Sequence, residues 1–205
     1  MIEKTNFRDQ VKVLLLKKMR SGDLKSQDAL SLVSLARDLD VSVTPVREAL
    51  SQLQSSGIVE SIPNRGFFIP KLSKEEAMNL YQLVASLECL ALRNSTFSEQ
   101  DIEALRKLNE LFENKEDAIQ RINADIDFHD TLTANYQNSL ALKILSELKT
   151  RIFFYELDYM SKENFYLDSG NDHKQIITYL EDKNIDKACE ALTANWLNII
   201  DYLNL

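Results

Sequence analysis

The sequence predicts a mainly α-helical protein in two parts: an N-terminal helix-turn-helix with a β-hairpin, followed by an antiparallel all-α helical bundle. Three observations predict this fold class. Apolar residues recur at helical spacing along most of the 205 residues. No strand pattern follows residue 70. Glycine and proline are scarce, at four and three residues, and two of the prolines, Pro63 and Pro70, lie at the turn and at the end of the β-prone segment.

Two amphipathic helices separated by a tight turn are predicted before Gly57, which supplies a C-terminal stop. The first begins at Leu32, and its apolar periodicity ends at Asp40. The second begins at Ser42 or Thr44, either of which can cap it. Its apolar residues at helical spacing are Val46, Ala49, Leu50 and Leu53. This layout is that of a helix-turn-helix.

A predicted hairpin follows the second helix directly. Residues 58–69 contain two short β-prone runs around Pro63-Asn-Arg-Gly66, which places a basic residue at the tip. A hairpin directly after a recognition-type helix is a wing. The N-terminal part is therefore predicted to be a winged helix-turn-helix.

The two motifs resemble those of the GntR family of bacterial winged-helix transcription regulators. The family pattern Ser-x-Thr-Pro-Val-Arg-Glu-Ala-Leu stands at residues 42–50, and the wing pattern Pro-Asn-Arg-Gly stands at 63–66. The resemblance implies a homodimer that binds double-stranded operator DNA. The candidate DNA contacts are Ser42, Thr44 and Arg47 on the second helix and Asn64, Arg65 and Gly66 on the wing. Simpler interpretations remain open: Ser42 only caps the helix, and Arg47 only pairs with a neighbouring acid.

Composition and charge limit the class of protein. The formal net charge is −8, but residues 1–70 hold ten basic and eight acidic residues, so the acidic excess lies entirely in the second part. No run of 18 apolar residues occurs, and the N-terminus is charged where a signal peptide would be apolar. We therefore expect a cytoplasmic protein without a membrane segment. Cys89 and Cys189 lie alone in helical patterns and are expected to be reduced core residues.

The second part is predicted to be a bundle of six helices, which divides the chain into domains at residues 1–70 and 71–205. A capping box, Ser73-x-x-Glu76, opens the first bundle helix, which runs through Arg93. Its expected apolar face comprises Leu80, Leu83, Val84, Leu87, Leu90 and Ala91. The five further helices are expected at residues 98–114, 117–136, 140–160, 171–182 and 186–203. Short connections between them favour antiparallel neighbours.

Polar residues interrupt the apolar stripes of three bundle helices. Asp125 and His129 lie one turn apart in one stripe, His173 leads another, and Asn195 lies in a third. Burying such groups without partners costs roughly several kcal/mol, so they must form hydrogen bonds with one another or bind a ligand. A divalent metal ion, either zinc, nickel, manganese or iron, is the economical solution. A hydrogen-bonded polar cluster is the alternative.

The second part resembles the ligand-binding FCD domain of the FadR-type branch of the same family. In that branch an Asp-x3-His pair and one histidine on each of two later helices bind a metal. Asp125, Phe128 and His129 match the Asp-x-x-Phe-His pattern, and His173 matches the next ligand. Asn195 stands where the third histidine is expected, and it would bind through its carbonyl oxygen, through water, or not at all.

The resemblance also implies a small-molecule effector, and one position departs from the family pattern. Relatives that bind carboxylates often have an arginine four residues before the glutamate that corresponds to Glu88, and that position is Val84 here. Arg151 and Tyr155 are the remaining candidates for the effector pocket, the alternatives being a solvated arginine and a core tyrosine.

Two other classes of function remain as alternatives to a transcription regulator. A helical metalloenzyme would need a general acid or base, for which Asp127 or Asp130 could serve. Asp127, however, points about 200° around the helix from Asp125, given steps of about 100° per residue. No catalytic triad order, phosphate loop or nucleotide fingerprint is found, so we expect no enzyme. The third class is a winged-helix adaptor that binds protein.

Overall fold

The computed structural model describes residues 7–71, 73–159 and 165–202. Its backbone divides into two compact units, with the boundary between residues 72 and 73. Helices dominate both units, and within the described residues the only sheet belongs to the first, so the predicted mainly α-helical class is confirmed. No helix in the described ranges is both long enough and apolar enough to cross a membrane.

The first unit contains the predicted helix-turn-helix and hairpin. Its elements are α1 (Phe7–Met19), β1 (Ala29–Leu30), α2 (Leu32–Asp38), α3 (Val43–Ser55), β2 (Glu60–Ile62) and β3 (Gly66–Phe68). Ser42 is the N-cap residue of α3, although its side chain makes no capping hydrogen bond. Gly57 follows α3 with a φ of +70°, the left-handed conformation that a helix stop requires.

The sequence patterns did not predict α1 or β1. Helix α1 packs on α3 through Val11, Leu15 and Met19, which recur every four residues and are at most 1% exposed. Strand β1 pairs with the outer side of β3, so the antiparallel sheet has the order β1-β3-β2. The wing is therefore a hairpin whose second strand is anchored on both sides.

The second unit consists of the six predicted helices. They are α4 (Lys74–Arg93), α5 (Glu99–Glu113), α6 (Ala118–Thr133), α7 (Ser139–Tyr159), α8 (Phe165–Glu181) and α9 (Ile185–Tyr202). Ser73 caps α4 by accepting from the backbone N–H of Glu76, which is one half of the predicted capping box; the Glu76 carboxylate pairs with Arg151 instead of completing it. Helix α8 begins six residues before the expected start. The expected ends at residues 160 and 203 lie outside the described residues.

The buried face of α4 differs from the expected apolar stripe. Leu83 and Leu90 are 47% and 43% exposed, whereas Tyr81 and Glu88 are fully buried. The reason is that α4 packs against α7 and α9 with the face that carries Glu88, and the partners of this carboxylate lie on other helices. Apolar periodicity alone predicts a buried face that excludes acids, so it could not place Glu88 in the centre of the buried face of α4.

Glu156 on α7 is a second buried acid, and it contacts the phenol of Tyr81. Its side chain is almost completely buried. Burial raises the pKa of Glu156 well above its ordinary value of 4.5, and the negative charge of Asp125 raises it further. Glu156 therefore retains its proton in the folded state at pH values at which the unfolded chain loses it.

This pKa shift predicts how Glu156→Gln changes stability with pH. A group whose pKa is raised by folding stabilises the fold below its unfolded pKa, and this contribution is lost as the pH rises. Glutamine keeps the shape and is neutral at every pH. In metal-free protein, the melting temperature of Glu156→Gln relative to the wild type should therefore increase between pH 5 and pH 8. Glu190→Gln, at an exposed position of α9, is the matched control. An equal difference at both pH values would contradict the prediction.

Candidate metal centre and DNA-binding surface

The candidate DNA contacts all lie on the surface of the first unit. Ser42, Thr44 and Arg47, at the start of α3, are exposed, and so are the three wing residues. The Ser42 hydroxyl is not used for capping and remains available to a ligand. No acid among the described residues pairs with Arg47, so its guanidinium is not neutralised by a neighbour.

The wing tip has a defined conformation. Asn64 and Gly66 have φ angles of +63° and +97°, and at Gly66 this backbone conformation would strain any residue with a Cβ. The guanidinium of Arg65 lies 5.1 Å from the centre of the Phe68 ring, a cation–π contact that holds the charged group next to β3. The basic group is thus presented by a rigid turn.

The second unit brings together the polar residues that interrupt the apolar stripes. Asp125 and His129 of α6 and His173 of α8 each offer one donor atom, and the three atoms lie within 4.8 Å of one another. Nε2 of His173 is 3.3 Å from Oδ1 of Asp125, and Nε2 of His129 is 3.9 Å from Oδ2. Both histidines are fully buried.

The ring of His129 is oriented by Glu88. Nδ1 of His129 lies 2.8 Å from Oε2 of Glu88, while Nε2 has no hydrogen-bond partner among the described residues. An ionised carboxylate only accepts hydrogen bonds, so Nδ1 carries a proton, and in the neutral ring the lone pair is then on Nε2. This tautomer is the one that a metal-binding imidazole needs.

The ring of His173 is oriented in the same way by an amide. Nδ2 of Asn109 donates to the carbonyl of Gly170 at 3.2 Å, which directs the Asn109 oxygen toward Nδ1 of His173 at 3.0 Å. Nε2 of His173 forms no hydrogen bond of good geometry with the described residues. The ring also stacks on Phe128, with centroids 3.9 Å apart. Both imidazoles thus point a free nitrogen toward Asp125.

Asn195 lies beside this cluster but is separated from it by a hydroxyl. Its Nδ2 donates to Oγ of Ser169 at 3.2 Å and lies 3.5 Å from Oδ2 of Asp172. Ser169 in turn donates to Oδ1 of Asp125 at 3.3 Å. Asn195 therefore orients Asp125 through Ser169, and its amide nitrogen is already engaged.

Glu88 joins four helices of the unit. Its Oε2 accepts from Nε1 of Trp196 at 2.7 Å as well as from His129, and its Oε1 forms an ion pair with Nζ of Lys149 at 2.7 Å. Lys149 is 1% exposed, and its second partner is Asp130 at 2.8 Å. Sequence reasoning did not assign Lys149 or Asn109 to the site, because a lysine or asparagine on a helix is usually solvated.

The charges of the cluster stabilise one another. Burial alone would raise the pKa of Glu88, but Lys149 and His129 outweigh it and lower this pKa to about 2. Burial likewise opposes the charged form of Asp125, whose pKa is nevertheless lowered by its contacts with His173 and His129. Burial lowers the pKa of His173, which favours the neutral ring. Neutral imidazoles and an ionised carboxylate are the forms that bind a divalent ion.

The candidate effector residues lie in different environments. Arg151 of α7 is partly exposed and forms an ion pair with Glu76 at the start of α4. Tyr155, one turn further along α7, is fully buried. Asp127, considered above as an enzymatic base, is exposed on the opposite side of α6, whereas Asp130 is paired with Lys149.

Comparison with known proteins identifies both units. A family model described as bacterial regulatory proteins, gntR family, matches residues 7–69, and a model described as FCD domain matches residues 79–197. The "Nta operon transcriptional regulator" of Aminobacter aminovorans is 32% identical over 170 residues, which cover 80% of this chain and 78% of that protein. The "HTH-type transcriptional regulator McbR" of Escherichia coli is 32% identical over 103 residues, covering 49% of this chain and 47% of that one.

Solved structures have the same fold. The structure of "E. coli McbR/YncC" superposes with a TM-score of 0.82 at 23% identity, covering 96% of each chain. A "putative transcriptional regulator GntR from Rhodococcus sp. RHA1" superposes with a TM-score of 0.84 at 20% identity, covering 96% of this chain and 97% of the other. The matched relatives are regulators and not enzymes. The chain therefore belongs to the GntR family of bacterial DNA-binding transcription regulators and carries an FCD domain.

Proposed function

We propose that this regulator binds a specific operator as a homodimer through α3 and the wing, and that its helical domain holds a divalent metal ion and responds to a small-molecule effector. In this proposal residues 1–70 bind DNA and residues 71–205 provide metal binding, ligand sensing and dimerisation. A regulator of this kind acts in the cytoplasm, where its DNA is.

The DNA-binding part rests on the exposed start of α3 and the exposed wing tip. Ser42 and Thr44 can donate to phosphate next to the backbone N–H groups of the α3 N-terminus. Arg47, exposed and without an acidic partner in the described residues, can reach a guanine edge or a phosphate. Arg65 extends the same positive charge to the wing.

Arg47→Ala tests this assignment. If Arg47 contacts a base, the substitution should weaken binding to the cognate site by about 1–3 kcal/mol and relax the base preference at one position. If it contacts a phosphate, the loss should be smaller, independent of sequence and accompanied by a shallower salt dependence. The measurement is a gel shift at several salt concentrations, with the chain's own upstream DNA and duplexes selected from a random library.

The control for this test is Arg93→Ala, which removes an exposed arginine from the helical unit. It should leave DNA affinity unchanged. Unchanged cognate affinity after Arg47→Ala would exclude both proposed roles of Arg47. If the wild type binds neither the upstream DNA nor any selected duplex, the adaptor interpretation replaces the operator-binding one.

Exposed apolar residues of the helical unit support a homodimer. Leu83 and Leu90 of α4 and Leu140 of α7 are 47%, 43% and 67% exposed, although they are large and apolar. Exposed apolar residues are typical of interaction surfaces where they share one face, as Leu83 and Leu90 do at a spacing of seven residues on α4. A two-fold dimer would protect a pseudo-palindromic site with one α3 helix in each major groove. Light scattering of the full chain measures its oligomeric state, and a footprint on the operator measures the length and symmetry of the protected site.

The metal ion is supported by the free nitrogens of the two histidines. Nε2 of His129 and of His173 both lack hydrogen-bond partners among the described residues, although both rings are fully buried. Two imidazoles and the carboxylate of Asp125 form a donor set that suits zinc, nickel, manganese or iron. A bound ion would satisfy these atoms, which otherwise represent an energetic cost of burial.

Removing the metal ion should lower the melting temperature. An ion that binds only the folded state stabilises it by about 2.7 kcal/mol at a hundredfold excess over its Kd. His129→Ala should abolish most of this metal-dependent increment, whereas Asp127→Asn, on the exposed side of α6, should leave it intact. Elemental analysis measures the bound metal, and thermal melts with and without chelator measure the metal-dependent change in melting temperature. Protein that carries no metal and does not respond to added ions would refute the metal site.

Asn195→His should tighten metal binding. An imidazole is a better donor than an amide oxygen to zinc and its neighbours in the first transition row. Position 195 is buried on the side of the cluster that Ser169 connects to Asp125, so a new ring would start close to the donor atoms. Calorimetric titration with Zn²⁺ compares the two proteins. Unaltered affinity, or a destabilised fold that metal does not rescue, would show that position 195 does not face the donors.

The charges around the donors favour an anionic effector. Glu88 is balanced by Lys149, and Glu156 retains its proton, so among the three donors Asp125 alone supplies negative charge to a divalent ion. A filled site of this kind keeps positive charge, and three protein donors leave coordination positions open to an oxygen ligand. The arginine that anchors carboxylates in relatives is replaced by Val84, and Arg151 is paired with Glu76. In this proposal the bound ion is therefore the positive group that the effector meets. Adding small carboxylic acids to the metal-loaded DNA complex and measuring DNA release tests this part.

A further inference from the structure

The two oxygens of Glu88 have different partners, and this division connects a buried lysine to the metal donors. Oε2 receives hydrogen bonds from His129 and Trp196 at 2.8 and 2.7 Å. Oε1 lies 2.7 Å from Nζ of Lys149. The carboxylate is fully buried, so no solvent replaces a partner that is lost. Its orientation therefore depends on Lys149 on one side and on the two rings on the other.

We propose that Lys149 is a positioning residue of the metal centre: it holds Oε1 of Glu88 so that Oε2 accepts from Nδ1 of His129, which keeps Nε2 of His129 free for the ion. This inference rests on the proposed metal site. It adds a fourth helix, α7, to the three that carry the donors and Glu88. It assigns a function to a buried lysine that touches no donor atom itself.

The surroundings of Lys149 favour this role over solvation or general charge balance. Its Nζ bridges Glu88 and Asp130, and Asp130 directly follows His129 in α6. The lysine thus connects to the His129 region by two routes, one through the ring and one through the neighbouring residue. Asp130 is half exposed, so it fixes the outer end of the bridge at the surface. Because the ammonium group of the buried lysine is held by a carboxylate on each side, it has little freedom to move.

Two physical effects of Lys149 on metal affinity have opposite signs. Its positive charge repels a nearby cation, so removing it would tighten binding. Its hold on Glu88 orients a donor, so removing it would weaken binding. The charge is neutralised by two carboxylates at 2.7 and 2.8 Å, and Glu88 lies between it and His129, so the repulsion is largely cancelled. The positioning effect should therefore dominate.

The first test is a Co²⁺ titration of the full-length chain, followed by the absorption of the bound ion. Lys149→Met releases Glu88, the outer partner of His129, so it should weaken Co²⁺ binding by up to the roughly 10- to 100-fold that losing such a partner costs. Lys143→Met, which removes an exposed lysine from the same helix α7, is the matched control and should change affinity by less than about threefold. Equal or tighter Co²⁺ binding by Lys149→Met would overturn the proposal.

The second test reads the tautomer of His129 without metal. The chain has two histidines, both in the cluster, so ¹⁵N spectra of the imidazoles contain two ring systems that His129→Ala assigns. In the wild type both rings should carry the proton on Nδ1. In Lys149→Met nothing holds Oε1, so Glu88 can turn away from Nδ1 and the His129 ring should become a mixture of tautomers, while His173, held by Asn109, stays unchanged. A general loss of structure would alter both rings, and an unchanged His129 ring would overturn the proposal.

A third variant covers the case in which Lys149→Met does not fold because Glu88 is left as an unpaired buried charge. The double variant Glu88→Gln, Lys149→Met contains neither charge. A glutamine can present either its oxygen or its nitrogen to Nδ1, so the double variant should fold but still show mixed His129 tautomers and weakened Co²⁺ binding. Wild-type behaviour of the double variant would overturn the inference. If the wild type itself binds no Co²⁺, the proposed metal site fails, while the tautomer test still decides the role of Lys149.

Discussion

The buried carboxylate of Glu88 is the interaction on which the centre of the helical unit depends. A charge in the interior is tolerated only when donors surround it, and here three donors from three helices converge on the two oxygens. Each donor would lose its contact with the carboxylate if Glu88 moved, so α6, α7 and α9 are constrained relative to α4. Apolar packing brings these helices together. The carboxylate selects one arrangement of them.

The DNA-binding unit was largely predictable because its signals are local. The turn at Asp40, the stop at Gly57 and the wing around Asn64 depend on residues that are adjacent in sequence, and the structure has all three. Helix α1 was not predicted, because its buried residues are mixed with exposed ones such as Val13, 64% exposed, in one apolar run. Strand β1 has two residues and is defined by its partner strand, which no local pattern encodes.

The cluster was predictable in part for a different physical reason. Asp125 and His129 stand out as polar residues in an apolar stripe, so helical periodicity alone places them inside. Lys149 and Asn109 do not stand out, since their burial results from partners on distant segments. The expected apolar stripe of α4 included Leu83 and Leu90, which are exposed. Apolar periodicity treats Glu88 as a surface residue, although it is buried, and so shifts the predicted face. A single sequence does not show which charged and polar residues of different helices will contact one another.

Every helix of the second unit contributes at least one side chain to the buried polar cluster around Asp125, His129 and His173. The contributors are Glu88 of α4, Asn109 of α5, His129 of α6, Lys149 of α7, His173 of α8 and Asn195 of α9. A bundle whose helices share one centre cannot rearrange one helix without altering the bonds of the others. Its alternative conformations are therefore few and collective, and their populations shift together. If the domain binds an effector there as proposed, the small molecule can shift those populations only by the difference between its affinities for the conformations, and not by the tightness of its binding to one of them.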